Sequence, residues 1–124
     1  MTGCTILVVD DEFGILALLD AVLEDEGYRV VTAANGRAAL DWMAGEIPDL
    51  VITDMAMPVM DGAAMITAMA ADPALAGVRT VVMSSLPEAS IAERCSGYAA
   101  FLRKPFRIAE AVARVTELLA VPAT

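Results

Sequence analysis

Apolar residues recur along this chain in two alternating rhythms. Thr5-Ile-Leu-Val-Val9 is an unbroken, β-branched apolar run, as in a strand covered on both faces. Asp10-Asp11-Glu12 ends it. From Phe13 to Glu26 the rhythm changes: Ile15, Leu18, Leu19, Val22 and Leu23 fall on one helical stripe, and Gly27 supplies the stop. Tyr28 to Ala33 reads as a second strand, with Asn35-Gly36 as a turn. A short helix is expected from Arg37 to Ala44, ending at Gly45. Leu50-Val-Ile-Thr53 is a third strand, closed by Asp54, and a loop leads to a helix from about Ala63 to Ala71. Thr80 to Met83 is strand four, ending in Ser84-Ser85, and Glu88 to Ser96 a weak helix. Ala100 to Arg103 is strand five, ending in Lys104-Pro105. Ile108, Ala111, Val112, Val115, Leu118 and Leu119 mark a last amphipathic helix, and the tail from Val121 to Thr124 is expected to fray.

Strands alternating with helices predict a parallel sheet covered on both faces. Right-handed crossovers leave few topologies. The expected one is a flavodoxin-like, doubly wound (βα)5 α/β fold, a five-stranded parallel sheet in the order 2-1-3-4-5. No internal repeat, low-complexity segment or linker interrupts the pattern, so residues 1–124 read as a single domain.

That order fixes where chemistry belongs. Ligands of an open α/β sheet bind outside the carboxyl ends of its strands, at the topological switch point, here between strands one and three. Strand one ends in Asp10-Asp11 and strand three in Asp54. Two like charges about 4 Å apart repel by roughly 4 kcal/mol at an effective dielectric near 20, so such a cluster calls for a cation or raised pKa values. Oxygen ligands without His or Cys favour a hard ion, Mg²⁺ or Mn²⁺. Strand four brings hydroxyls, Ser84 and Ser85, to the same edge, and strand five brings an ammonium, Lys104. Carboxylates, metal, hydroxyl and lysine are the equipment for a phosphoryl group, and a carboxylate can itself accept it as an aspartyl phosphate. Each piece alone has a plainer reading: Asp11 or Glu12 as a helix cap, Asp54 and the serines as turn residues, Lys104-Pro105 as solvated punctuation. Their meeting at one sheet edge, from four strands, is what points to chemistry. The methionines Met55, Met57, Met60, Met65 and Met69 read as adaptable packing.

Composition narrows the function. The chain has 124 residues, 58% hydrophobic and 20% charged, enough for a real core and against disorder. A net charge of −9 argues against direct nucleic-acid binding. There is no histidine, which removes Ser-His-Asp and Cys-His catalysis, and there is a single lysine, Lys104. Cys4 and Cys95 stand in no metal or redox spacing and fit a reducing cytoplasm. The longest charge-free stretch, Gly62 to Ala71, is too short for membrane insertion, and nothing at the N-terminus reads as a signal peptide. No Gly-x-Gly-x-x-Gly or Gly-Lys-Ser/Thr follows strand one, which excludes dinucleotide and P-loop chemistry.

Leu7-Val-Val-Asp-Asp-Glu12, Val51-Ile-Thr-Asp-Met-Ala-Met-Pro-Val-Met-Asp-Gly62 and Phe101-Leu-Arg-Lys-Pro-Phe106 together closely resemble the receiver domain of bacterial two-component response regulators, the chemotaxis-regulator-like family. The resemblance covers about Thr5 to Leu119. It implies that Asp54 is phosphorylated by a sensor histidine kinase or a histidine phosphotransferase. It implies that Asp11 binds Mg²⁺ directly, that Asp10 assists, and that Asp54 and the backbone carbonyl of Ala56 complete the ligands. Ser85 takes the role of the hydroxyl that bonds the phosphoryl group, with Ser84 as its alternative, and Lys104 contacts another phosphoryl oxygen. A cis bond is implied before Pro105. Phe101 matches the aromatic switch position, turning inward when the hydroxyl residue moves. The surface of helix four, strand five and helix five then changes shape for a downstream protein partner.

The chain departs from the family pattern at Leu86, where a small residue is usual, and between Ser85 and Gly97, shorter by about one helical turn. Helix four is therefore expected to be short or displaced. Ala56 and Pro87 occupy positions flanking the phosphoryl group, where polar side chains orient an attacking water; neither can, so self-dephosphorylation is expected to be slow. Two rivals remain. A phosphatase of the haloacid-dehalogenase type needs a second Asp where Ala56 stands. A degenerate receiver would serve as a phosphorylation-independent interaction or dimerisation module.

Overall fold

The computed structural model describes residues 3–120. The elements run β1 (Thr5–Val9), α1 (Phe13–Asp25), β2 (Arg29–Ala33), α2 (Gly36–Met43), β3 (Leu50–Asp54), α3 (Gly62–Ala71), β4 (Arg79–Ser84), α4 (Glu88–Ala92), β5 (Ala100–Arg103) and α5 (Ile108–Ala120). The strands form one parallel sheet in the order β2-β1-β3-β4-β5, the expected doubly wound fold. The expected fraying of Val121 to Thr124 lies outside the described residues.

The continuous apolar runs are explained by burial on both faces. Alternate residues of each strand point to opposite sides. Ile6, Val8, Leu50, Ile52, Val81, Met83 and Leu102 pack under α1 and α5 against Leu16, Leu19, Leu23, Ala111 and Val115. Leu7, Val9, Val51 and Val82 face the other way, against Ala39 and Met43 of α2, Met65, Ile66 and Met69 of α3, and Ile91 of α4. Each Val, Leu, Ile or Met side chain among them contributes about 1.5–3 kcal/mol when fully buried. The methionines Met55, Met65 and Met69 are part of this second layer, filling space between α3 and the sheet as their flexible thioethers allow.

Helix boundaries follow their caps. The Asn35 side chain accepts from the Ala38 N–H at 2.9 Å and starts α2; Asp61 does the same for α3 with Ala64 at 2.8 Å. α1 ends where Gly27 adopts φ +99, the left-handed turn that favours glycine. Glu12 sits at the N-cap of α1 without a capping side-chain bond.

α4 is the main departure from the periodicity. A helix to Ser96 is expected from the pattern, but α4 holds only five residues, with Ile91 its one buried anchor. The Arg94 and Cys95 amides both donate to the Ile91 carbonyl, and Gly97 at φ +85 reverses the chain. One anchor in two turns leaves little burial to offset the backbone entropy of a longer helix.

Candidate functional site

The strand ends assemble a cleft of about 910 Å³ at the switch point between β1 and β3. Asp10 follows β1 and is fully buried. Its backbone N–H donates to the Ala33 carbonyl at 3.1 Å, and its Oδ1 accepts from the Glu12 N–H at 2.9 Å. These two bonds explain why an acid is held at that depth: the backbone fixes it before any partner arrives. Asp11 is exposed beside it, in the cleft wall. Asp54 is the last residue of β3 rather than the first beyond it, and its Oδ1 accepts from the Met55 N–H at 2.9 Å. Asp10, Asp11 and Asp54 each offer an oxygen within 4.8 Å of the others.

Lys104 faces them. Its N–H donates to the Ser84 carbonyl at 2.8 Å, which ties the end of β5 to the end of β4. Its Nζ lies 2.9 Å from Asp10 Oδ2, 3.4 Å from Asp54 Oδ1 and 3.4 Å from Glu12 Oε1. The Lys104–Pro105 peptide bond is cis.

The electrostatics are unequal across this set. Burial pushes the Asp54 carboxyl above the usual carboxylate range, and the Asp10 charge adds to it; Lys104 and the Met55 amide offset this only in part. For Lys104, burial pulls the pKa down, but the Asp10 hydrogen bond and the Asp54 and Asp10 charges outweigh it, and the ammonium is held above its ordinary range. The Lys104 charge alone therefore does not neutralise the acids facing it. An all-oxygen trio at this spacing fits a hard divalent ion. The donor chemistry and the residual negative charge both meet that requirement.

The hydroxyls divide between strand and loop. Ser84 ends β4 and is buried, with its Oγ accepting from the Leu86 N–H at 3.0 Å; Ser85 lies beyond the strand and is exposed. Both line the cleft, as does Ala56. Phe101 is half-buried on β5, paired in register with Val82 and packed against the α3–α4 side of the core. Two further groups belong to the site. Asp11 or Glu12 reads from the sequence as a helix cap; Glu12 holds the N-cap position, yet its carboxylate turns to Lys104. Arg94 also lines the cleft; nothing in its sequence neighbourhood signals this, because the direction of α4 depends on packing at Ile91.

Comparison with known proteins gives one consistent result. Residues 6–116 match the family model described as response regulator receiver domain. The transcriptional regulatory protein PrrA of Mycobacterium bovis is 38% identical over 123 residues, covering 96% of this chain and 51% of that protein. Sporulation initiation phosphotransferase F of Bacillus subtilis is 38% identical over 107 residues, covering 85% of each. Among solved structures, the receiver domain of a sensor histidine kinase from Pseudomonas aeruginosa, with a magnesium ion coordinated in its active site cleft, superposes with a TM-score of 0.89 at 25% identity, covering 97% of this chain and 100% of that one. The chain thus spans about half the length of the PrrA regulators it matches.

Proposed function

The chain belongs to the response regulator receiver family of two-component signalling, and from that premise we propose that residues 1–124 form a single receiver domain that accepts a phosphoryl group on Asp54. The observation that carries this is the reach of Lys104 Nζ to both Asp10 and Asp54 across the sheet edge. Asp54 offers an ionised oxygen in a site with room above it. That oxygen attacks the phosphorus of a phosphohistidine donor as the phosphorus–nitrogen bond breaks. The imidazole leaves with the bonding pair and takes up a proton, and an aspartyl phosphate remains.

Asp10, Asp11, Asp54 and the backbone carbonyl of Ala56 would hold the divalent ion. A bound Mg²⁺, or Mn²⁺, supplies positive charge beside the oxygens of the transferred group. Lys104 exchanges its Asp54 contact for a phosphoryl oxygen. The domain is thus an acceptor that assists its own phosphorylation and slow dephosphorylation, and not an enzyme acting on a separate substrate. The donor is a sensor histidine kinase or a histidine phosphotransferase, and the output is an altered α4–β5–α5 surface read by a downstream protein. A cytoplasmic setting, with no membrane insertion and no direct nucleic-acid contact, fits this role; among the described residues no helix is long and apolar enough to cross a membrane. The intact acid set and Lys104 speak against a degenerate module. Incubation with a phosphohistidine donor and Mg²⁺, followed by mass spectrometry, should place one acid-labile phosphoryl group on Asp54.

Strand alternation revises the choice of hydroxyl. Ser84 stands two residues after Val82, so it shares the sheet face of Val82 and Phe101, whereas Ser85 lies past the strand end. A hydroxyl that moves toward the phosphoryl group vacates space for Phe101 only if both occupy one face. Ser84 is therefore assigned the switch role that the sequence register gives to Ser85. Ser85 then fills the small-residue position, and Leu86, not Pro87, is the flanking one. Ser84→Ala should weaken Mg²⁺-dependent beryllium trifluoride binding about tenfold, the effect of one charge-assisted hydrogen bond. Ser85→Ala should stay within about twofold on the same scale. The reverse order in calorimetry would return the role to Ser85.

Neither Ala56 nor Leu86 carries a group that can orient water. Placing Asn at position 56 (Ala56→Asn) should shorten the acyl-phosphate lifetime, measured as loss of label over time. An unaltered half-life would remove side-chain control of decay at this position.

A further inference from the structure

We propose that Arg94 is a second phosphoryl-binding cation, parked on Asp61 until Asp54 is modified; this rests on the receiver reading and goes beyond it. Lys104 and Arg94 are the two cations lining the cleft among the described residues. Lys104 is already engaged by Asp10, Asp54 and Glu12. Phosphorylation replaces one carboxylate charge with about two and adds oxygen acceptors, so the demand for donors exceeds the one Asp54 contact that Lys104 can exchange.

Arg94 is placed to meet that demand. Its guanidinium lies 3.7 Å from Asp61 Oδ2, an ion pair that is half exposed on the Arg94 side. An exposed pair at that distance is weak and exchanges readily. Asp61 itself is fixed, because its Oδ1 caps α3 through Ala64. The next residue, Gly62, presses on the acceptor strand: a Cβ there would stand 2.5 Å from the Asp54 carbonyl oxygen, and the Gly62 N–H donates to the Met55 carbonyl at 2.9 Å. Asp61 thus holds the guanidinium at the residue beside Gly62, and Arg94 lines the same cleft as Asp54. The segment that carries Arg94 is short, with Ile91 as its one fully buried anchor. A planar guanidinium suits a phosphoryl group better than a single carboxylate oxygen, since it donates in pairs. Movement of Arg94 from Asp61 to the phosphoryl group would also pull on α4, coupling the modification to the output face.

The test uses beryllium trifluoride with Mg²⁺ as the phosphoryl mimic, read by titration calorimetry on the whole chain. Arg94→Ala should weaken binding of the mimic about tenfold, and Arg94→Lys should restore part of it. Asp61→Asn keeps an oxygen to cap α3 but releases Arg94, and should tighten binding. In the double variant Arg94→Ala/Asp61→Asn the gain should vanish. A merely structural ion pair holding α4 in place would move both single variants the same way, and that result overturns the proposal. So does unchanged binding in Arg94→Ala when the wild type binds normally. If the wild type itself takes up no mimic in the presence of Mg²⁺, the receiver reading fails, and the role of Arg94 falls with it.

Discussion

Asp54→Asn is expected to abolish phosphoryl acceptance and, at the same time, to stabilise the metal-free protein at neutral pH. The first effect is chemical. An amide oxygen carries no charge to attack phosphorus, so labelling by a phosphohistidine donor should fall to background, and Mg²⁺-dependent binding of beryllium trifluoride should disappear with it. The second effect follows from the sign of the pKa shift. Burial, with the Asp10 charge behind it, raises the Asp54 pKa above its ordinary value. The folded state then holds that proton more tightly than the unfolded state does. The stability linked to it is complete in acid, below the ordinary carboxylate range, and is lost as pH rises through the raised value. At neutral pH the ionised Asp54 therefore opposes folding, and a neutral isostere of the same shape removes the opposition. Thermal melts without metal should show the variant above the wild type near neutral pH and the gap closing near about pH 4. Added Mg²⁺ should reverse the order by stabilising the wild type more. A variant that melts lower than wild type at neutral pH, without metal, would contradict this account of the site.

Lys104→Ala should instead destabilise the protein. Asp10 is wholly buried, and the Lys104 ammonium at 2.9 Å is its one salt-bridge partner among the described residues. Removing one member of a buried pair leaves an uncompensated charge, at a cost of about 3 kcal/mol or more, or roughly 10 °C in melting temperature for a domain of this size. The ammonium's raised pKa works in the same direction: its contribution is whole below the ordinary lysine range and is lost only as pH climbs through the raised value. A divalent ion can substitute for the missing charge. At a concentration near 100 times its dissociation constant it returns about 2.7 kcal/mol, so Mg²⁺ should rescue much of the melting temperature in Lys104→Ala and shift the wild type less. Equal metal shifts in the two proteins would mean that Lys104 and the ion do not share the same acids.

Much of the fold was legible in the chain because its signals are local. The runs Ile6–Val9 and Leu50–Ile52 are apolar throughout since both faces of a central parallel strand are covered. Strand ends carried the acids and Lys104, and the strand order brought them to one edge. The hydroxyl was harder to place. Ser84 and Ser85 are adjacent and chemically identical, and only the observed end of β4 at Ser84 and its pairing with β5 separate them. Glu88 to Ser96 contains nothing that forbids helix, so the pattern predicts a longer α4 than the five residues that form it; Ile91 is its one buried anchor.

Alternating apolar periods and glycine stops determined the architecture from sequence alone, and strand-end carboxylates pointed to where chemistry belongs, because backbone geometry and side-chain charge act over a few residues. The tertiary structure alone decided that Asp10 is the buried partner of Lys104, that Ser84 shares a face with Phe101, and that Arg94 reaches the cleft beside Asp61. Those facts depend on which distant segments meet and at what depth, and a carboxylate's or cation's role is set by its desolvation and its neighbours, neither of which is written in the order of residues along the chain.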